Sequence, residues 1–447
     1  MSVYSMLTPD NVISVLPPQT ERIFIAYSGG IDSHVLLHLS NSITQIRSKL
    51  MAVYVHHGLQ IEADSWAKHC EAVCLALDVK FQCLKVNAQK AVGQSPEEVA
   101  RNVRYQVLKK ILAKNDVLLL AQHREDQMET VLLQLFRGAG VQGLSGMPLS
   151  VAFGEGIMCR PLLDVPKQTI KDYAGENGLC WIEDPSNESD DFDRNFLRNQ
   201  ILPQLKKRWP ALDKTVSRSA RHCASTNAIT QNLAQELLNN LCDKTDQTLC
   251  ITQLLELDVN KQHLVVRQWF SKQHLRMPSE IMLHRILNEV AVAKACRNPI
   301  VQGRGYCIRR YRKKLYCLIE DHYNFEMHEK SWSSDLNQLK LDGEQQILVV
   351  DASEGILKTV WKNSEVSVRF RQGSEKIRLP GRSGSHTLKN LFQEKKIPPW
   401  ERNSIPLIYL NGSLAAVADI WISADFYSTG TVDCVQFSWL KSSSIDF

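Results

Sequence analysis

Residues 23–39 read IFIAYSGGIDSHVLLHL. A β-branched and aromatic run, Ile23–Tyr27, meets Ser28-Gly29-Gly30-Ile31-Asp32-Ser33, and apolar residues at helical spacing follow at once. Two glycines let a backbone turn sharply and approach an anion closely. The first N–H groups of the helix behind them lack partners within it and carry the positive end of its dipole. The stretch is therefore expected to cradle phosphate, with Ser28 and Ser33 adding hydroxyl donors. No G-x-x-x-x-G-K-[ST] loop occurs, and no lysine follows these glycines. A loop of this kind suits the pyrophosphate released when ATP is cleaved between its α- and β-phosphates. The competing reading is an ordinary Gly-Gly turn, with Asp32 serving only to cap the helix.

Outward from the loop, residues 1–216 alternate short β-branched runs with amphipathic stretches. Strands are expected at Ile23–Tyr27, Met51–His56, Val79–Val86 and Val117–His123, and helices at Ser33–Ser40, Ser65–Leu77, Pro96–Ala113 and Asp126–Arg137. Pro96 after Ser95, with Glu97 and Glu98 next, is a helix start. This βαβα order with right-handed crossovers predicts an α/β fold built on a doubly wound parallel sheet. Residues 217–330 read as a mainly helical middle domain that ends in strands near Gly305–Ile319. Residues 331–447 read as a small mixed α+β C-terminal domain, with a short helix near Leu388–Glu394 and a polar linker at Ser331–Gly343.

A chain of 447 residues exceeds one ordinary domain, and 44% apolar residues suffice for several cores without disulfide staples. Twelve cysteines include no C-x-x-C pair, and no histidines complete a zinc pattern around them. The N-terminus lacks the basic start and apolar core of a secretory signal, and no apolar run reaches the roughly 18 residues that span a bilayer. Free thiols in a cytoplasmic protein, with no membrane partner, are the expectation. A net charge of +5 permits a polyanionic partner without requiring one.

Four further segments narrow the chemistry. The second strand ends in Val55-His56-His57-Gly58-Leu59, with Trp66, Cys70 and Cys74 on the next helix. Ala100-Arg101-Asn102-Val103-Arg104-Tyr105 places two arginines on one helical face. Gln122-His123-Arg124-Glu125-Asp126-Gln127-Met128-Glu129-Thr130 leads from the fourth strand into a helix, and Arg137-Gly138-Ala139-Gly140 closes it. Arg160-Pro161-Leu162-Leu163 then precedes Trp181-Ile182-Glu183-Asp184-Pro185-Ser186-Asn187, Arg194-Asn195 and Arg198. The S-G-G-x-D-S loop resembles the PP-loop of N-type ATP pyrophosphatases. The other segments, in the same order, resemble tRNA(Ile)-lysidine synthetases, as does Gly381-Arg382-Ser383-Gly384 through Trp400-Glu401-Arg402. The likeness runs over nearly the whole chain, although the middle helical region matches only in character.

The resemblance implies a two-step reaction at the wobble cytidine of isoleucine tRNA with a CAU anticodon. ATP, with Mg²⁺, adenylates the cytosine O2, and the ε-amine of free L-lysine then attacks C2 and expels AMP. Codon reading would change from AUG to AUA, and charging from methionine to isoleucine. It further implies that Ser28, Gly29, Gly30, Ile31, Asp32 and Ser33 hold ATP, that Asp32 and Asp126 contact the metal, and that Asp32, Arg104, Asp126 and Glu129 form the catalytic set. Asp126 and Glu129, three apart, share a helix face. By resemblance Glu129 recognises the lysine amine and Asp126 the metal or the lysine. Acidic residues also favour a helix N-terminus for its own sake. Relatives carry Asp-Asp-Gln where this chain has Glu125-Asp126-Gln127, which leaves position 125 without a role. Arg101 and Arg104 either clamp phosphate or form a solvated face. His56, His57 and His123 receive no assignment. Asp184, Asn187, Arg194 and Asn195 either order a substrate or form a turn before a helix cap.

Between Lys362 and Arg402, ten Lys or Arg stand against four Glu, and Arg309-Arg310-Tyr311-Arg312-Lys313-Lys314 interleaves an aromatic with cations. Both runs suit phosphate contacts with tRNA. Two rival functions remain, another PP-loop tRNA-modifying enzyme such as a thiolase, and a non-catalytic RNA-binding protein. The oligomeric state is left open, with a homodimer among the options.

Overall fold

The computed structural model describes residues 7–56, 63–86, 96–185, 189–190, 192–294, 297–319, 328–341 and 345–440. His57, Gly58, Leu59, Ser95, Ser186 and Asn187, singled out above, lie outside them. The chain divides into two compact units, Met1–Leu233 and Ala234–Phe447, and the cut falls within the helix Leu212–Leu241.

The first unit is built on a six-stranded sheet of order β3-β2-β1-β4-β6-β5, with β1 Ile23–Ala26, β2 Leu50–His56, β3 Lys80–Lys85, β4 Val117–Leu119, β5 Ser150–Phe153 and β6 Gly156–Cys159. The strands β3, β2, β1, β4 and β6 run parallel. The side-chain period of two is what makes this sheet two-sided. Ile23, Ile25 and Tyr27 face a core that includes Val35, Leu36, Cys70, Cys74, Ile170 and Ala174. Phe24 turns the other way, against Leu108, Leu112 and Met158. Helices Ile31–Asn41, Ala63–Ala76 and Lys167–Glu176 thus cover one face and Pro96–Ile111 the other, which is the doubly wound arrangement. Each leucine or isoleucine fully buried in this way contributes about 1.5–3 kcal/mol.

Two details depart from the sequence reading. The strand expected to reach His123 stops at Leu119, although the Leu120 N–H still donates to Cys159 O at 2.9 Å. The hairpin β5–β6 went unpredicted, and β5 is antiparallel to β6. Its four-residue strands, separated by Gly154 at φ +65°, are too short to show a clear period.

Strand order decides where chemistry can be housed. The chain leaves β1 toward β2 and β3, then returns to the other side of β1 as β4. The crevice at the carboxyl ends of β1 and β4 is thus the topological switch point, where ligands of open α/β sheets bind. The glycine loop follows β1, and the segment His123–Glu129 follows β4.

The second unit holds separate cores. One gathers Trp269, Phe270, Ile286 and Leu287 against Val301, Ile308 and Leu315 of a four-stranded antiparallel sheet. Its helix Val259–Lys272 is capped by Asp258, which accepts the Lys261 N–H at 3.0 Å. The others centre on Trp332, Trp361, Val368 and Ile408, and on Leu388, Leu391 and Phe392 of the helix Leu388–Glu394, which falls where expected. The supposed linker is corrected here. Lys330–Trp332 pairs with Val366–Val368, and Gln338–Lys340 pairs with Gln346–Leu348. A strand with one solvated face reads as polar, and the inward Trp332 (3% exposed), Leu339 and the adjoining Leu341 (6%) betray it.

Candidate active site

Gly30 is the residue before the helix Ile31–Asn41, so the loop delivers its backbone to that helix's first turn as expected. Gly29 has φ +82°, and a Cβ there would lie 2.6 Å from Ile182 Cδ1 and 3.0 Å from Cys70 Sγ. Glycine is therefore required twice over, by conformation and by space. The Ile182 N–H donates to Gly29 O at 2.9 Å, tying the segment from Trp181 to the loop. Ser33 Oγ donates to Gly30 O (2.9 Å), accepts the Ser28 N–H (3.2 Å) and lies 3.1 Å from Ser28 Oγ. The two hydroxyls thus hold the loop closed upon itself.

Asp32 does not cap its own helix. Its carboxylate accepts from the Lys167 ammonium and lies 3.8 Å from His123 Nε2. The same imidazole nitrogen is 3.4 Å from Asp126 Oδ2, while Nδ1 is 3.4 Å from Glu125 Oε2. His123 is 4% exposed and precedes the helix Arg124–Phe136. Its backbone N–H donates to Asp126 Oδ2 at 3.0 Å, a capping contact that fixes Asp126 toward the crevice. Asp32 and Asp126 therefore converge on one imidazole from two different helices.

Asp126 and Glu129 share a helix face, as their spacing predicted, and both are held by arginines. Arg194 Nε donates to Glu129 Oε2 at 2.7 Å and Nη2 to Asp126 Oδ1 at 3.0 Å. Arg198 donates to both Glu129 oxygens, at 2.7 and 2.8 Å, and to Asp126 Oδ1 at 3.1 Å. Glu129 is 1% exposed, so its charge depends on these partners. Burial would raise the Asp126 pKa, but His123 and the two arginines outweigh it and hold the carboxyl below its ordinary value. Glu125 behaves alike. Burial acts upward, yet His123, the Lys167 N–H (2.9 Å) and Lys206 (3.4 Å) hold it down at about 2. Position 125 thus acquires a structural task, that of joining the His123 and Lys167 segments.

The other residues singled out in the sequence have the following neighbours. The Arg104 and Arg101 guanidinium carbons stand 5.7 and 5.2 Å from the centroid of the Tyr105 ring. His56 Nε2 is 3.2 Å from Asp64 Oδ1 on the next helix. Asn195, on the short helix Asp193–Phe196, donates to Ser189 O at 2.9 Å, just ahead of that helix. Sequence reasoning missed Lys167 altogether and gave Arg198 no role. For Lys167 a signal existed, because a cation in a helix's first turn opposes the dipole and calls for a nearby anion. Gln127 proves structural, exchanging hydrogen bonds with Met147 N–H (2.7 Å) and O (2.9 Å) around Gly146.

In the second unit the basic run forms a hairpin, Tyr306–Tyr311 with Lys314–Ile319. Arg310 donates to Ala291 O and Ala293 O, Arg309 lies over the Trp400 ring, and Arg312 donates to Gln393 O. With Lys314, which donates to Asp243 and Asp246, four of its five cations thus have partners inside the fold. All cysteines among the described residues are free thiols, and no helix there is long and apolar enough to cross a membrane.

Comparison with known proteins identifies the family. Residues 7–205 match the model described as a PP-loop domain, 249–316 the TilS substrate binding domain, and 366–439 the TilS substrate C-terminal domain. A tRNA(Ile)-lysidine synthase of Coxiella burnetii is 38% identical over 429 residues, covering 95% of this chain and 95% of that one. Another, of Photobacterium profundum, is 38% identical over 456 residues and covers 99% and 100%. Among solved structures, a U34-tRNA thiolase from Methanococcus maripaludis aligns at 16% identity and a TM-score of 0.40, over 48% of this chain and 77% of that chain. With three matched segments in order and identity sustained over nearly its full length, the chain belongs to the tRNA(Ile)-lysidine synthase family.

Proposed function

We propose that this chain ligates free L-lysine to C2 of the wobble cytidine of isoleucine tRNA with a CAU anticodon, through an adenylated cytidine. The observation that carries the reading is the convergence of the PP-loop Asp32 with Asp126 and Glu129 at the switch point. A pyrimidine carbonyl oxygen is a poor leaving group, so it is converted to a phosphate ester first. Cytidine O2 forms a bond to the α-phosphorus, and the α–β bridging bond breaks with its electrons leaving on pyrophosphate. The lysine ε-amine then bonds to C2 and gives up a proton, while the C2–O bond breaks and AMP departs.

The residues have matching tasks. Backbone N–H groups of residues 29–33, with Ser28 and Ser33, hold the ATP phosphates. Free lysine presents ammonium and carboxylate together, and Asp126 and Glu129 beside Arg194 and Arg198 offer the complement to each. Two carboxylates converging at helix starts also suit a hard divalent cation, with Asp32 and Asp126 as its ligands. Bound there, Mg²⁺ would neutralise phosphate charge. Arg104 is assigned to the tRNA or α-phosphate side.

The catalytic domain is taken as residues 1–216, the middle domain as 217–330 and the C-terminal domain as 331–447. The matched segments fall one in each. Basic surfaces of the last two would contact tRNA. Free thiols favour a cytoplasmic setting.

The test is incubation with ATP, Mg²⁺, labelled lysine and unmodified CAU-anticodon isoleucine tRNA. Stable lysine incorporation with release of AMP is expected. AMP release without incorporation would return the nucleophile to a sulfur donor or another amine. Absence of both would leave only an RNA-binding protein.

A further inference from the structure

Arg160 directly follows the strand β6 and is 5% exposed. None of its partners among the described residues is a carboxylate. Its Nε donates to Gln122 Oε1, its Nη1 donates to Pro148 O at 2.7 Å, and its Nη2 lies 4.0 Å from Met158 Sδ. Tyr105 also hydrogen-bonds the guanidinium. Burial pulls the Arg160 pKa below its ordinary value, Tyr105 opposes the fall, and the nearby Arg101 adds to it. A guanidinium nevertheless keeps its charge in a protein. A buried charge without an opposite charge is costly, and an apolar side chain of similar volume is often the more stable choice. Stability of the fold alone does not call for an arginine here.

Its partners tie two parts of the first unit together. Gln122 directly precedes His123, the imidazole on which Asp32 and Asp126 converge. Tyr105 lies on the helix Pro96–Ile111, across the sheet from the helix that follows the phosphate loop. Its ring meets Phe153 edge-on, with centroids 5.8 Å apart. Arg101, one helical turn earlier, and Arg104, the preceding residue, hold their guanidinium carbons 5.2 and 5.7 Å from the same ring's centroid. The ring is thus fixed by Phe153 and Arg160, and in turn attracts two guanidinium groups. Three arginines around one tyrosine make a positive spot beside the crevice, and guanidinium groups grip phosphate oxygens as forks.

We propose that Arg160 is a positioning residue, which through Tyr105 and Gln122 fixes Arg101 and Arg104 as a two-guanidinium clamp for a phosphate group at the crevice. Buried as it is, Arg160 does not itself meet the ligand. It acts by removing freedom. Arg101 and Arg104 are long side chains that would lose rotamer entropy on binding, and a ring fixed in advance lessens that loss. The ligand chemistry is a pair of phosphate oxygens, carried either by the nucleotide or by the RNA strand beside the target cytidine. The inference rests on the crevice being the adenylating site of the proposed function, and not on the identity of the nucleophile.

The experiment measures affinity for ATP, and separately for unmodified CAU-anticodon isoleucine tRNA, on the full chain in Mg²⁺ buffer. Wild type, Tyr105→Phe and Arg160→Lys are compared, and Tyr105→Phe is repeated in an Arg101→Ala/Arg104→Ala background. Tyr105→Phe keeps the ring and removes only its hydroxyl. The urea unfolding midpoint should therefore stay in place while one of the two ligands weakens about tenfold. Loss confined to tRNA assigns the clamp to the RNA strand, and loss confined to ATP assigns it to the nucleotide. Arg160→Lys keeps the charge without the fork and should lose the same ligand. Without the two clamp arginines, Tyr105→Phe should cost nothing further. Unchanged affinity for both ligands in Tyr105→Phe, or in Arg160→Lys, would overturn the proposal. So would equal weakening of both ligands, or a full loss that persists without Arg101 and Arg104, because either would mean that Arg160 and Tyr105 merely hold the fold. A wild type that binds both ligands yet releases no AMP would sink the proposed function and leave this comparison intact.

Discussion

Asp126 and Glu129 in the first unit, and Asp243 and Asp246 in the second, are both carboxylate pairs gripped by cations. Their surroundings separate them. Glu129 is 1% exposed under Arg194 and Arg198, while Asp243 and Asp246 are 36% and 39% exposed around Lys314. The second pair also closes a turn, with Asp243 accepting the Thr245 N–H at 3.0 Å and Asp246 the Thr248 N–H at 3.1 Å. The Lys314 hydrogen bond is the main reason Asp243 stays below the usual carboxylate range. Carboxylates bonded to side-chain cations thus serve a site in one place and a loop in the other. What differs is the cost of leaving a partner charged and alone, small in water and large in a crevice.

Four outcomes sharpen or break this contrast. Glu129→Ala leaves two guanidinium groups without their buried partner, and a loss of about 3 kcal/mol in urea unfolding is expected. That is the low end for a broken buried pair, because Arg198 is 37% exposed and water can share it. Lysidine formation should fall by more than about 100-fold. A variant as stable as wild type would mean that the arginines find other anions, and the contrast would fail.

Charge in the second unit should act outward instead. Lys376 and Lys389 are exposed, within the basic stretch. Reversing both to Glu is expected to weaken tRNA binding about tenfold at low salt, flatten its salt dependence and leave the unfolding midpoint in place. Unaltered affinity would remove this surface from the tRNA path.

Acid should expose the third difference. The Glu125 carboxyl is held at about 2 against 4.5 for the free group. A lowered folded-state pKa contributes stability above the unfolded value and loses it as pH falls toward the folded one. The advantage of wild type over Glu125→Gln should therefore be full above about pH 4.5 and fade as pH approaches about 2. Urea midpoints across that range decide it, and a constant gap would mean that Glu125 acts through shape alone.

The smallest effect belongs to Lys314→Met. Its unfolding midpoint should be hard to separate from wild type, and any difference should vanish at about 1 M salt. A large, salt-insensitive loss would place Lys314 with the buried pairs.

Much of this was legible in the residues themselves. Ile23–Ser33 announces a strand, a glycine turn and a helix, because β-branching, φ freedom and apolar spacing are local properties. The three-residue spacing of Asp126 and Glu129 is local too, and the structure has both on one face. Arg310 marks where that legibility ends. In sequence it is one cation of a basic run, yet it is spent on the carbonyls of Ala291 and Ala293, which only folding brings near. Trp332 was lost in a polar stretch for the same reason, since its partners Trp361 and Phe437 come from a distant helix and a distant strand.

Sequence alone determined the phosphate loop, the α/β class and the face carrying the acidic residues, because each depends on neighbours along the chain. Tertiary structure alone decided which cation meets which carboxylate. Lys167 reaches Asp32 across 135 residues, and Arg194 reaches Glu129 across 65. Coulombic pairing in a crevice depends on separation and burial, and neither quantity is written in residue order.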